Sequence, residues 1–212
     1  VEEVKELEVD LHIIDDLVEM ENFFVSLRSC ETIGAFVLFQ DNDFLGLGIT
    51  KDGKRADFIV CSMFITEELI ADRFMECYAS NEKMRIITND LKKMLKVFSF
   101  VSEQRIDDTS VAAYLLRPLK DSYSYDDLAR DYMGLTVPDK KELLGKMELS
   151  AFVLQEELVR KYLFYEICIP YMCHEQLMKE LQDCKMNKLY DEIEIPTVYV
   201  LSHMEKEGVR VD

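Results

Sequence analysis

The sequence predicts an α/β or α+β chain in which helices pack around a central sheet. Three observations carry this. Short apolar runs of strand length come early, helical patterns are interspersed and then dominate, and Asp, Asn, Gly and Pro punctuate the joins. At 212 residues there is room for one large domain, or for one domain and a short extra element.

Taken in order, Leu11–Ile14 reads as a strand, and Asp15-Asp16 opens an amphipathic helix to about Arg28, since acids suit a helix start. Ile33–Phe39 and Phe44–Thr50 read as a hairpin around the polar turn Gln40-Asp41-Asn42-Asp43, and Asp57–Val60 as a third strand after the turn 51–54. Thr66 starts a helix to about Ala79 with Leu69, Ile70, Phe74 and Tyr78 on one stripe. Arg85–Thr88 is a short strand, and Asn89 is placed to cap a helix over Asp90–Val97.

Thr109–Leu116 is helical and stops at Pro118; Ser124–Met133 is a helix ended by Gly134; Pro138–Gly145 is a charged connection. One long helical pattern runs from about Ser150 to Gln182 with Pro170 as a kink. A last helix, Met186 to Glu207, ends at Gly208.

Composition narrows the function classes. Hydrophobic residues make up 49%, enough for a real core, and no apolar run reaches the length of a membrane span, about 18–20 residues. Val1-Glu2-Glu3-Val4 has neither an initiator Met nor a signal-peptide pattern, so the start reads as an interior cut. Forty-two acidic residues against 25 basic ones give a net charge of −17, a field that repels phosphates and argues against autonomous nucleic-acid binding. Cys30, Cys61, Cys77, Cys168, Cys173 and Cys184 are scattered among apolar residues; Cys168, Cys173 and His174 are the only tight group and lack the second ligand pair of a zinc site. They read as buried reduced thiols, and a cytoplasmic location follows.

Three segments are more specific. Asp108-Thr109-Ser110-Val111-Ala112-Ala113-Tyr114-Leu115-Leu116-Arg117-Pro118 precedes Tyr123-Ser124-Tyr125-Asp126-Asp127-Leu128-Ala129-Arg130-Asp131-Tyr132-Met133-Gly134. The third runs from Leu189-Tyr190-Asp191-Glu192-Ile193-Glu194-Ile195-Pro196 through Val200-Leu201-Ser202-His203-Met204-Glu205-Lys206-Glu207-Gly208-Val209-Arg210-Val211-Asp212. Periodicity reads these as helix faces. In residue type and register, however, the first two resemble the D-T-x-x-A-x-Y-L-L-x-P and S-x-x-D-L-A-x-x-Y-x-G blocks of the 3′–5′ exonuclease domain of bacterial DNA polymerase I. The third resembles the helix that joins that domain to the polymerase.

The resemblance implies a ribonuclease-H-like (DnaQ-like) exonuclease fold over 1–185, with a linking helix over 186–212 at the start of a polymerase domain. It implies partners too: that polymerase domain in the same chain, and DNA through it, with no membrane. Mg²⁺ is implied for the parent polymerase and no cofactor for this stretch.

Nucleases of this class hold two dications about 4 Å apart on carboxylates, which activate water and stabilise the leaving oxygen. The resemblance places the D-x-E ligands at Val37 and Phe39, and the Asp of the N-L-K-Y-D helix start at Met94. All three are apolar here. The late-helix Y-x-x-x-D falls on Tyr162 and Glu166, so the tyrosine is kept and a glutamate stands for the aspartate. The site reads as degenerate, with one carboxylate at four positions. Asp41 and Asp43, Asp107-Asp108 and Glu156-Glu157 are the acids a rescued nuclease would have to recruit; they read as turn, cap and solvated-face residues. Tyr162 reads as a core tyrosine, with base stacking as the alternative. His12, His174 and His203 have no nucleophile at a recognisable elbow, and there is no phosphate-binding glycine loop.

Overall fold

The computed structural model describes residues 6–100 and 105–208. The N-terminal Val1–Val4 and the closing residues 209–212 of the third block lie outside the described residues.

The described residues build a six-stranded mixed sheet in the order β1-β4-β3-β2-β5-β6. Its strands are β1 (Leu11–Ile14), β2 (Thr32–Gln40), β3 (Asp43–Thr50), β4 (Ala56–Val60), β5 (Arg85–Thr88) and β6 (Ile106–Asp108). β2 pairs antiparallel with β3 and β3 with β4, while β1–β4, β2–β5 and β5–β6 are parallel. From β2 the chain runs to one side of the sheet and then returns to build the other. The strand order therefore reverses at β2, the kind of position where open α/β sheets leave a crevice at the carboxyl ends of their strands.

The helices are α1 (Leu17–Leu27), α2 (Glu67–Ser80), α3 (Leu91–Val97), α4 (Thr109–Leu116), α5 (Tyr125–Leu128), α6 (Lys140–Leu144), α7 (Glu157–Asp183), α8 (Asn187–Leu189) and α9 (Ile195–Lys206). Side chains fix several starts. Asp16, Thr66, Asp90, Asp108 and Asp139 each accept a first-turn backbone N–H. Buried Ile33, Leu38, Leu47, Ile49, Phe58 and Ile59 form the sheet's part of the core, and Leu163, Ile167 and Ile169 of α7 join it. Gly48 lets α7 come close: a Cβ there would lie 2.3 Å from Ile167 Cδ1.

Five expectations about elements need correction. The hairpin turn is tighter than four residues, because Gln40 pairs with Asp43 and Asp41 takes a left-handed φ of 55°. Asp90, not Asn89, caps α3, because Asn89 donates to the Tyr123 carbonyl instead. The connection over Pro138–Gly145 contains α6, capped by Asp139. The long helix starts at Glu157 rather than Ser150, since Val153 and Glu156 donate three residues back and close turns. The helices expected over 124–133 and 186–207 each contain a π-helical turn, Ala129–Met133 and Tyr190–Glu194. β6 was not foreseen at all.

Candidate functional site

A cleft of about 390 Å³ opens where β2 and β5 end and α3, α4 and α5 begin. Phe36 and Val37 of β2 form an apolar wall. Thr88, Asn89, Asp90 and Lys93 enter from the β5–α3 join, Ser110 from the first turn of α4, and Tyr123 and Ser124 from the approach to α5. Glu166 of α7 completes the lining.

Hydrogen bonds set these groups in place. The Asp108 carboxylate ties the two helix starts together, accepting from Leu91 N–H of α3 at 2.9 Å and from Ser110 N–H of α4 at 2.9 Å. Burial raises its pKa, opposed by the Ser110 hydroxyl and the Leu91 amide. The Thr109 hydroxyl lies 2.7 Å from the Asn89 side-chain oxygen, and Asn89 Nδ2 donates to the Tyr123 carbonyl at 2.9 Å. The D-T pair of the first block is therefore the joint that organises this rim.

Glu166 and Tyr162, four residues apart, meet on one face of α7: the Tyr162 hydroxyl donates to Glu166 Oε2 at 3.1 Å. Tyr162 is only 3% exposed, packs edge-on to Tyr125 and has the Lys140 ammonium over its ring, so its face is not open to a base. Burial pushes the Glu166 carboxyl up to about 7, against the lowering effects of the Tyr162 hydroxyl and the Lys93 and Lys140 ammonium groups; Asp90 adds to the rise.

Val37 faces the cleft, as the motif spacing requires. Phe39 does not share it: the β2–β3 register shifts between Leu38 and Phe39, and the Phe39 ring packs against Phe44, 5.7 Å between centroids. Met94 of α3 is fully buried and does not line the cleft. Asp41 and Asp43 are exposed at the hairpin tip and Glu156 and Glu157 at the start of α7. Asp107 faces a separate cleft with Arg85, His174 and Tyr190. None of these recruits joins Glu166. The carboxylate that does is Asp90, together with Lys93, Asn89, Ser110 and Ser124. Sequence reasoning missed them as site residues; their signal was the run of caps and hydroxyls at strand ends.

Whether this donor set fits Mg²⁺ can be judged from its chemistry. Two hard dications need several convergent carboxylates. The cleft offers two, and Asp90 already accepts the Lys93 amide as an N-cap while its other oxygen lies 4.0 Å from the Lys93 ammonium. Among the described residues no three His, Cys, Asp or Glu side chains converge as a metal cluster. The set does not fit a two-metal centre, and no catalytic step is derived through one.

Comparison with known proteins follows this geometry. The chain is 35% identical over 112 residues to DNA polymerase I of Bacillus subtilis, which is 50% of this chain and 12% of that protein. It is 26% identical over 198 residues to DNA polymerase I of Borreliella burgdorferi, 92% of this chain and 20% of that protein. Among solved structures, Brucella melitensis NrnC superposes with a TM-score of 0.68 at 12% identity, covering 97% of this chain and 98% of that one. The Mycobacterium smegmatis Pol1 structure with DNA primer-template and dNTP gives 0.65 at 19% identity, covering 95% of this chain and 33% of that one. It has a 3′–5′ exonuclease-like fold related to DNA polymerase I.

No protein-family model matches the chain. The exonuclease-like fold accounts for the β2-centred sheet, and the expected α/β, ribonuclease-H-like class is what the structure has. The chain spans no more than about a fifth of the DNA polymerase I relatives it matches. Among the described residues no helix is long and apolar enough to cross a membrane.

Proposed function

We propose that the chain is a non-catalytic 3′–5′ exonuclease-like domain of a cytoplasmic bacterial DNA polymerase I, kept as a structural support for polymerisation in replication and repair. The observation that supports this is the cleft itself, walled by Val37 and Phe36, while Met94 is buried and does not line it. Apolar walls exclude ions by desolvation rather than hold them. In this reading residues 1–185 form the exonuclease-like unit and 186–212 lead into the polymerase domain, which binds DNA and its own Mg²⁺. The test is incubation of the chain with Mg²⁺ or Mn²⁺ and 3′-labelled single-stranded DNA. No trimming is expected; metal-dependent trimming abolished by Glu166→Ala would overturn the proposal.

One observation favours a second reading, an active exonuclease with relocated carboxylates: Asp90 and Glu166 line the same cleft. Calorimetric titration with Mn²⁺ separates the two. Saturable binding lost in Asp90→Asn would favour the relocated site, and flat heats the non-catalytic one.

A further inference from the structure

The segment 187–206 buries few side chains fully, although Val198 and Tyr199 pack partly buried against the core. α8 has no buried residue, the π turn buries only Tyr190, and α9 buries only Ile195 and Ser202. Leu189, Ile193 and Val200 are all exposed. Few buried apolar contacts mark a segment of low local stability.

Against that background one polar contact stands out. Asp107, at the carboxyl end of edge strand β6, is 5% exposed, and Tyr190 is 2% exposed. The Tyr190 hydroxyl accepts the Asp108 N–H at 2.9 Å and donates to Asp107 Oδ1 at 3.1 Å. Asp107 Oδ2 accepts from Arg85 Nη1 of β5 at 2.8 Å and lies 2.6 Å from His174 Nε2 of α7. One carboxylate thus joins two strands, the long helix and the π turn. The π turn contributes because its i→i+5 bond, from Ile195 N–H to the Tyr190 carbonyl, turns residues five apart toward the same side. Tyr190 and Ile195 both point inward, and the tyrosine covers an N–H at the sheet's open edge.

We propose that the Asp107–Tyr190 hydrogen bond is the pin of a strap. With the pin in place, segment 187–206 lies against α3, α4 and α7, and Tyr190 meets the β6 edge; without it, the segment detaches while the sheet stays folded. A further polar tie, Lys92 of α3 with Glu205 of α9, is a surface ion pair with side chains 45% and 35% exposed and adds little. The strap does not depend on whether the cleft is catalytic, so neither proposal falls with the other.

Hydrogen exchange on the whole chain tests it. Tyr190→Phe removes one oxygen and keeps the ring, and Asp107→Asn removes the charge. Each is expected to lower protection over 187–206 by roughly tenfold to a hundredfold, the range for losing a hydrogen bond to a charged group. Protection of β2 and β3 should stay within about threefold of the parent, and Lys92→Ala should change 187–206 by less than about fivefold. Unchanged protection of 187–206 in Tyr190→Phe overturns the proposal. So does an equal loss in the strap and the central strands, or failure of Tyr190→Phe to fold, since a strap that detaches locally leaves the sheet intact. If only Asp107→Asn fails to fold, Tyr190→Phe decides.

Discussion

Glu166 shows what burial does to a carboxylate in a cleft with an apolar wall. Its folded-state pKa stands near 7 against an ordinary 4.5, raised mainly by burial. Between those two values the folded chain keeps a proton that the unfolded chain has released. Stability should therefore fall as pH rises through that window, with the full penalty present above about pH 7. Glu166→Gln keeps the shape and removes the titration. We expect it to flatten the pH dependence over this window and to stabilise the protein at pH 8 by roughly 1–3 kcal/mol, while changing little at pH 4.5. Urea denaturation at both pH values reads this directly, and an unchanged slope would mean that Glu166 is hydrated and ionised in the cleft.

At the scale of elements, Gly46 and Gly48 of β3 face different neighbours, β4 and α7, so their substitutions should differ in cost. A Cβ on Gly46 would lie 2.3 Å from the Ile59 carbonyl oxygen, a backbone atom that cannot turn aside. On Gly48 the clash is with Ile167 Cδ1, the far end of a side chain that has other rotamers. Gly46→Ala should cost about 1–3 kcal/mol and Gly48→Ala clearly less; equal midpoints in urea would refute this ordering. The same distinction between local and distant causes explains what could be read in advance. Asp16, Thr66 and Asp108 announce helix starts because a cap is made with neighbours in sequence, and Arg85–Thr88 announces a strand by its own apolar run. β6 does not, since its three residues include two aspartates, and the groups that hold them in place beyond the local cap, Leu91 and Tyr190 among them, lie 17 to 83 residues away. A π turn has the same local composition as an α-helix, so its extra residue shows only in the bonding. Glu166 of the cleft and its partner Tyr162 were legible only through the family resemblance, whereas Asp90, Lys93, Ser110 and Ser124 converge because separate strand and helix ends meet there.

For the whole molecule the governing quantity is the net charge of −17. Affinity for single strands comes largely from Lys and Arg neutralising phosphates, helped by aromatic rings open to bases. In this cleft Lys93 is the one basic lining residue, flanked by two carboxylates, and the Tyr162 ring is buried. In the non-catalytic reading proposed above, the apolar wall also disfavours the metal ions that would bridge a phosphate to those carboxylates. All three terms point the same way, so a labelled single-stranded oligonucleotide should show no saturable rise in fluorescence anisotropy up to about 100 µM protein at physiological salt, weaker than ordinary non-specific binders. Lowering the salt should help little, because salt sensitivity scales with the number of phosphates neutralised, and this surface neutralises few. Two outcomes would each be informative in a different way. Tight binding lost in Lys93→Ala without added metal would mean that the cleft reads phosphate through its lysine. Binding that appears only with Mn²⁺ and vanishes in Asp90→Asn would mean that Asp90 and Glu166 hold a cation after all, and the non-catalytic reading would fall with it.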